Sequence, residues 1–253
     1  MTNPLVLRPT AVQTYLSCPR KFFFANIENA PRVVSAALAI GTAFHKGAEV
    51  LVSALKARRN PTEVLKEAEA SYEEALEFER TLGDPDPEDD RFDTAKDTGI
   101  GLVRALANGL PTDWQPAQIE ETVAAQITPE ITLRGTTDLV LTDGTIVDFK
   151  SRARRSNPAD IRRDLQFTAY ALLRGETDGT PDQPRNLAIV EVTKTKVPAV
   201  HIHPTERTPR DFAVYRDIVT KVARGIQAGI DPPAPSSFCG GCGYREVCTL
   251  SQR

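Results

Sequence analysis

No run of apolar residues in this 253-residue sequence approaches the roughly 20 needed to cross a bilayer as a helix. The opening Met1-Thr-Asn-Pro-Leu-Val-Leu-Arg-Pro9 also lacks a basic stretch followed by an apolar core of signal-peptide length. The expectation is a cytoplasmic protein without a membrane partner. No Gly-x4-Gly-Lys-Ser/Thr phosphate loop occurs, which weakens any reading as a helicase joined to a second activity. Positive charge is not in excess: 31 Lys and Arg against 34 Asp and Glu give a net charge of -3, so nucleic-acid binding would have to come from local patches. Cysteine is scarce, with only Cys18, Cys239, Cys242 and Cys248. A cytoplasmic setting argues against two structural disulfides, and the spacing points to a metal centre.

What is present is ordinary for a soluble globular chain, 40% hydrophobic and 26% charged, and long enough for one large domain or a core with a helical annex. The charge is segregated. Glu63 to Glu79 and the loop Asp84-Pro-Asp-Pro-Glu-Asp-Asp90 carry much of the acid, whereas Lys150, Arg152, Arg154, Arg155, Arg162 and Arg163 form a basic stretch.

Three segments share one helix-start device, a side-chain N-cap, proline at the first helical position and an acid two residues later: Asn60-Pro61-Thr-Glu63, Asn157-Pro158-Ala-Asp160 and Thr208-Pro209-Arg-Asp211. They predict helices at about 61–82, 158–174 and 209–228, stopped by Gly83, Gly175 and Gly229. Further helices are expected at about 10–25, 41–59 and 92–108, and strands at 118–127, 136–141, 145–149, 186–192 and 199–203. Pro232, Pro233 and Pro235 predict an extended C-terminal strap.

Asp143-Gly144 between two apolar runs is the strongest hairpin signal. A three-residue loop, Thr142-Asp143-Gly144 with glycine left-handed, pairs Leu141 with Thr145, Val140 with Ile146 and Asp138 with Asp148. Two carboxylates so placed can share one divalent cation. Lys150 falls on the same face as Asp148, and Leu139, Leu141, Val147 and Phe149 form a core face. A two-residue loop would turn Asp138 away from Asp148. Taken by itself, Asp-x-Lys also fits a surface ion pair beside a turn.

Gly41-Thr-Ala-Phe-His45, Gly135-Thr-Thr-Asp138, Val147-Asp148-Phe149-Lys150 and Gln166-Phe-Thr-Ala-Tyr170, in this order, resemble the PD-(D/E)xK nucleases of the RecB-like branch. The likeness runs from about residue 8 to residue 250. It takes in Leu16-Ser-Cys18-Pro-Arg-Lys-Phe22 and Cys239-x2-Cys242-x5-Cys248, the cysteine positions of the branch's iron-sulfur members, the CRISPR-associated exonuclease of the fourth Cas family and the AddB-type nuclease domain. The resemblance implies a mixed α/β fold with a restriction-endonuclease-like central sheet flanked by helices. It would form a single domain: a mainly helical part at 8–110, a nuclease core at 115–230 and an iron-sulfur strap at 231–253. It implies His45, Asp138 and Asp148 as ligands of Mg2+ or Mn2+, Lys150 as the residue that positions or activates the attacking water, and Gln166 and Tyr170 as orienting residues. The family often has glutamate where this chain has Asp148.

Cys-x2-Cys-x5-Cys by itself fits zinc or iron-sulfur; three clustered ligands with the fourth over two hundred residues upstream, together with the resemblance, favour a structural 4Fe-4S cluster. Arg152, Arg154 and Arg155, immediately after Lys150, are expected to contact DNA phosphates. His201 and His203 alternate on a strand and could bind a second metal, but without acidic neighbours they are read as a DNA-facing or solvated surface. The expected activity is a metal-dependent DNA exonuclease acting on single-stranded ends or tails, in recombination and repair, phage DNA metabolism or CRISPR adaptation. A homo-oligomer or partner proteins from those pathways stay open. The alternative is a non-catalytic nucleic-acid-binding or assembly subunit, against which the intact set of His45, Asp138, Asp148 and Lys150 speaks.

Overall fold

Gly144 closes the central hairpin with φ +83°. In the computed structural model, which describes residues 4–85 and 89–250, its N–H donates to the Leu141 carbonyl at 2.9 Å, and Leu141 N–H donates to Thr145 at 2.9 Å. The loop therefore has three residues. The flanking strands pair Val140 with Ile146 and Leu139 with Val147, the register such a loop dictates.

The chain opens with β1 (Leu5–Leu7), α1 (Pro9–Ser17), α2 (Pro19–Asn26) and β2 (Val33–Val34). Next come α3 (Ala36–Lys56), a 3-10 turn (Pro61–Val64) leading into α4 (Leu65–Thr81), β3 (Asp84–Pro85) and α5 (Ala95–Gly109). The central part is β4 (Pro116–Thr128), β5 (Ile131–Leu141), β6 (Ile146–Arg152), α6 (Pro158–Arg163), α7 (Leu165–Thr177), β7 (Arg185–Thr193), β8 (Val200–Arg207) and α8 (Pro209–Gln227). Beyond α8 the described chain is an extended strap with one short 3-10 turn at Cys239–Gly241.

The sheet is mixed. β5 has antiparallel β4 along one edge, while its other edge is shared by parallel β1 at its start and antiparallel β6 at its end. β7 runs parallel to β6, reached through α6 and α7, and antiparallel β8 forms the edge. A core of α3, α4 and α5 side chains covers Leu139, Leu141, Val147 and Phe149 on one face. Side chains of α1, α7 and α8 cover Leu133, Ile146 and Ile189 on the other. Both faces are thus buried, as expected for strands joined by a parallel crossover, and near the turn the acid-bearing face is apolar too, through Val140 and Ile146.

Two expected helices are each split. The helix placed at 10–25 breaks at Cys18, whose extended backbone (φ -161°) precedes Pro19 at the start of α2, because proline disfavours the helical region for the residue before it. The helix placed at 158–174 breaks at Asp164, which turns extended and caps α7 by accepting from Gln166 N–H. Gly175 does not stop that helix; it continues to Thr177, and Gly179, with φ +72°, ends the turn instead. α3 begins five residues earlier than expected, at Ala36, where Ser35 accepts from Leu38 N–H. β8 runs through Pro204 to Arg207 because an edge strand tolerates a missing N–H. The three-residue β1 was too short to show a period. Of the acidic loop 84–90, residues 86–88 lie outside the described residues.

Candidate active site

Asp138 is flanked by an acid on each neighbouring strand. In β4 the register Ile119 to Leu139 and Glu121 to Thr137 leaves Glu120 across from Asp138. On the other side, the rung after Leu139–Val147 brings Asp138 alongside Asp148, but main-chain pairing stops there. Phe149 N–H instead donates to Asp138 Oδ2 at 2.7 Å. The carboxylate fills the gap where the strands part, and His45 of α3 reaches it with Nδ1 3.3 Å from Oδ2.

His45, Glu120 and Asp138 bring their ligand atoms within 4.8 Å of one another, the one such group of three or more among the described residues. Asp148, only 2% exposed, stands beside this group and is engaged by Lys150, whose Nζ lies 2.9 Å from Oδ2 and 3.1 Å from Oδ1. Asp148 Oδ2 has no hydrogen bond of good geometry, so it keeps a lone pair for a cation. A hard divalent ion suits this set of carboxylate oxygens and one imidazole.

The protonation pattern follows from crowding. Burial and the neighbouring Asp138 push Glu120 up to about 7, and burial, with Asp138 opposed by Lys150, pushes Asp148 up to about 6. Burial also works against the charge on Asp138, yet His45 and Lys150 hold it below its usual value. His45 and Lys150 are both drawn above their usual values, because the acids outweigh burial. Three acids in one row repel each other unless protons or a cation are shared.

Gln166 Nε2 donates to the Tyr170 hydroxyl at 2.8 Å, one turn apart on α7. Tyr170 lies near enough to Asp148 and Asp138 that burial and both acids raise its hydroxyl pKa. Lys150 Nζ sits 5.9 Å from the Phe167 ring centroid of the same helix. Past the half-buried Arg152, the chain exposes Arg154 and Arg155, and Arg155 with Arg162 lines a cleft of about 630 Å3 beside β8.

Glu120 is the residue that sequence reasoning missed. It stands within a strand yet has φ +48°, a left-handed backbone that non-glycine residues adopt at a cost and that clusters at functional sites. The adjacent pair Glu120-Glu121 carries no such signal in sequence. His201 and His203 also differ from expectation: Glu191, fully buried, faces His201 across the β7–β8 ladder and lies 3.6 Å from His203 Nε2.

All four cysteines line one cavity of about 430 Å3 with Arg20, Lys21, Phe24 and Tyr244. Ala234 N–H points at Cys18 Sγ (3.5 Å) and Ser236 N–H at Cys239 Sγ (3.4 Å). The strap is held by Tyr15 donating to the Ile230 carbonyl at 2.8 Å, the Arg20–Asp231 ion pair at 2.5 Å and the stacking of Phe24 on Tyr244.

The model of the PD-(D/E)XK nuclease superfamily matches residues 7–249. The chain belongs to that superfamily. As a PD-(D/E)XK nuclease it takes nucleic acid as its substrate class, and its mixed sheet flanked by helices is the family's fold. The crystal structure of a "Putative exonuclease" from Eubacterium rectale superposes with a TM-score of 0.58 at 11% identity, covering 98% of this chain and 87% of that one. At that identity the likeness is one of fold. The structure of SSO0001 aligns at 12% identity over 96% of this chain and 95% of that one, with a TM-score of 0.40. A search of curated proteins gives no match. No helix among the described residues is long and apolar enough to cross a membrane.

Proposed function

We propose that this nuclease is a divalent-metal-dependent DNA exonuclease of the RecB-like branch, acting on single-stranded ends or tails, with a structural 4Fe-4S cluster. The observation that carries the reading is the row Glu120, Asp138 and Asp148 on three adjacent strands, with His45 and Lys150 against it. His45, Glu120 and Asp138 would hold a Mg2+ or Mn2+ ion, with Asp148, the neighbouring acid that Lys150 engages, as the further ligand the motif order implies. When bound, such an ion supplies Lewis acidity at a phosphate oxygen and makes water a better nucleophile.

The chain's own residues do the rest. Lys150 is held charged by Asp148 and Asp138, which suits it to orient the attacking water and to offset charge growing on the phosphate rather than to take a proton. Gln166 and Tyr170, tied together on α7, wall the cleft and orient the substrate backbone. Arg152, Arg154 and Arg155 follow Lys150 directly and would engage phosphates along the strand. Exonuclease action and the preference for single strands rest on the resemblance in motif order.

All four cysteines line one cavity, and main-chain N–H groups face the sulfurs of Cys18 and Cys239 as they can in an iron-sulfur site, which with the cysteine spacing supports the iron-sulfur reading.

The decisive experiment is digestion of end-labelled single-stranded and duplex DNA by anaerobically purified protein with Mg2+ or Mn2+. Asp148→Ala should be inactive while still binding DNA. Cleavage by Asp148→Ala at near wild-type rate would sink the assignment.

A further inference from the structure

Glu191 interrupts the otherwise apolar run Leu187-Ala-Ile-Val-Glu-Val192 of β7, and its side chain has no exposure at all. Nothing in the row of acids uses it. A buried carboxyl group is costly unless bonded, and no lysine or arginine forms an ion pair with this one among the described residues. Its partners are the main-chain N–H of Ser156, donating to Oε1 at 2.8 Å and Oε2 at 3.2 Å, and His203 Nε2 at 3.6 Å. His203 is itself 7% exposed, and its Nε2 has no hydrogen-bond partner.

The register shows what this arrangement does. Lys150 pairs with Glu191 and Arg152 with Thr193 across parallel β6 and β7, and Lys194 N–H closes the last rung on the Arg152 carbonyl. Beyond Arg152 the chain leaves the sheet, exposes Ala153, Arg154 and Arg155, and doubles back until Ser156 meets Glu191, level with Lys150. Asn157 then caps α6. The arginine-bearing turn is thus pinned at one end by the ladder and at the other by the Glu191 side chain, with His203 backing the carboxyl group.

We propose that Glu191 is a positioning residue for substrate binding: it locks the turn 153–156 so that Arg154 and Arg155 contact the phosphates of a nucleic-acid strand leaving the cleavage centre. This rests on the nuclease reading and adds to it a residue that touches neither metal nor substrate. Loss of the lock should weaken substrate capture and leave the chemical step alone.

The test is equilibrium binding of a fluorescent single-stranded oligonucleotide in EDTA over a salt series, with steady-state cleavage in Mn2+ alongside. Each phosphate that the protein no longer neutralises lowers the slope of log affinity against log salt by about 0.7 for single strands. Arg155→Gln should lower the slope by about that much. Glu191→Ala should lower it at least as far and raise KM roughly 10-fold with kcat little changed. Glu191→Gln, which keeps an acceptor for Ser156 N–H, should stay near wild type. A merely structural role would lower stability without moving the slope. If Glu191→Ala does not fold, Ser156→Pro removes the donor from the other side and should give the same weakening. An unchanged slope and KM in whichever of these two variants folds, with Arg155→Gln showing its expected drop, overturns the proposal. A wild-type protein that neither binds nor cuts DNA would instead overturn the nuclease reading.

Discussion

The main-chain N–H of Phe149 bonds to the side chain of Asp138 on the opposite strand, not to that strand's main chain. One carboxylate oxygen thereby ends the β5–β6 ladder and holds the strands apart where His45 enters. The same atom takes part in fold and site, which makes Asp138 the most exacting position in the cleft.

Asp138→Asn keeps an oxygen for Phe149 N–H but removes the charge. The expected outcome is a folded protein by circular dichroism, no detectable cleavage, and Mn2+ affinity reduced on the order of 100-fold by calorimetry, since even the loss of a group that only orients a ligand costs about 10- to 100-fold. Glu120→Gln should reduce Mn2+ affinity at least roughly 10-fold by the same reasoning. An unchanged Mn2+ affinity in Glu120→Gln would remove that residue from the proposed ligand set.

Stability of the metal-free protein should fall as pH rises through neutrality. Glu120, raised to about 7 from 4.5, and Asp148, raised to about 6 from 3.8, both hold protons that the unfolded chain has already released. Their contribution is full below about pH 4 and is lost as pH rises through 6 and 7. The upward shift of His45 acts in the same direction. The downward shifts of Asp138 and His203 have the opposite sign: that of Asp138 operates below its ordinary 3.8, outside this window, and that of His203 offsets part of the fall below 6.5. Thermal melts in EDTA should therefore show a lower Tm at about pH 8 than at about pH 5, and Mn2+ should restore Tm mainly at the higher pH.

A β-carbon on Gly144 would meet nothing within 4 Å, so only its φ of +83° forbids a side chain. Gly144→Val should cost about 1–3 kcal/mol and, by disturbing the turn register, weaken Mn2+ binding about 10 Å away by rough strand geometry. Gly144→Asn should be much milder, because asparagine tolerates the left-handed region. Equal denaturation midpoints for the two variants would show that the turn does not set the register.

Anaerobically purified protein should be brown and contain about four irons per chain. Cys18→Ser and Cys248→Ser should each lose the colour, and limited proteolysis should then release the strap beyond Ile230. Colourless protein carrying stoichiometric zinc would favour the other metal.

Much of this was legible because local chemistry agreed with the final fold. Asp143-Gly144 marked the hairpin, and of the two loop lengths it allows the structure has the three-residue one that brings Asp138 alongside Asp148, while Thr208-Pro209-Arg-Asp211 forms the capping box that starts α8. Where the reading fell short, a tertiary partner was involved. Asp164 breaks a helical pattern to cap α7 and to receive Gln13 Nε2 at 3.0 Å from α1. Glu120 looks like one of two solvated acids, and only the pairing of β4 with β5 turns it toward Asp138. Glu191 lies far from Ser156 in sequence, and no local pattern foretells that a buried acid would hold a distant turn.

The cavity lined by the cysteines joins two parts of the chain that lie more than two hundred residues apart. Cys18 is made early, whereas Cys239, Cys242 and Cys248 follow every residue from His45 to Tyr170. The strap is made after the row of acids and its lysine, so whatever fills the cavity can be completed only once they have been synthesised. A chain halted before residue 239 would carry the whole candidate cleavage centre with only one of the four thiols, and its lifetime would measure how far that centre depends on being tied shut.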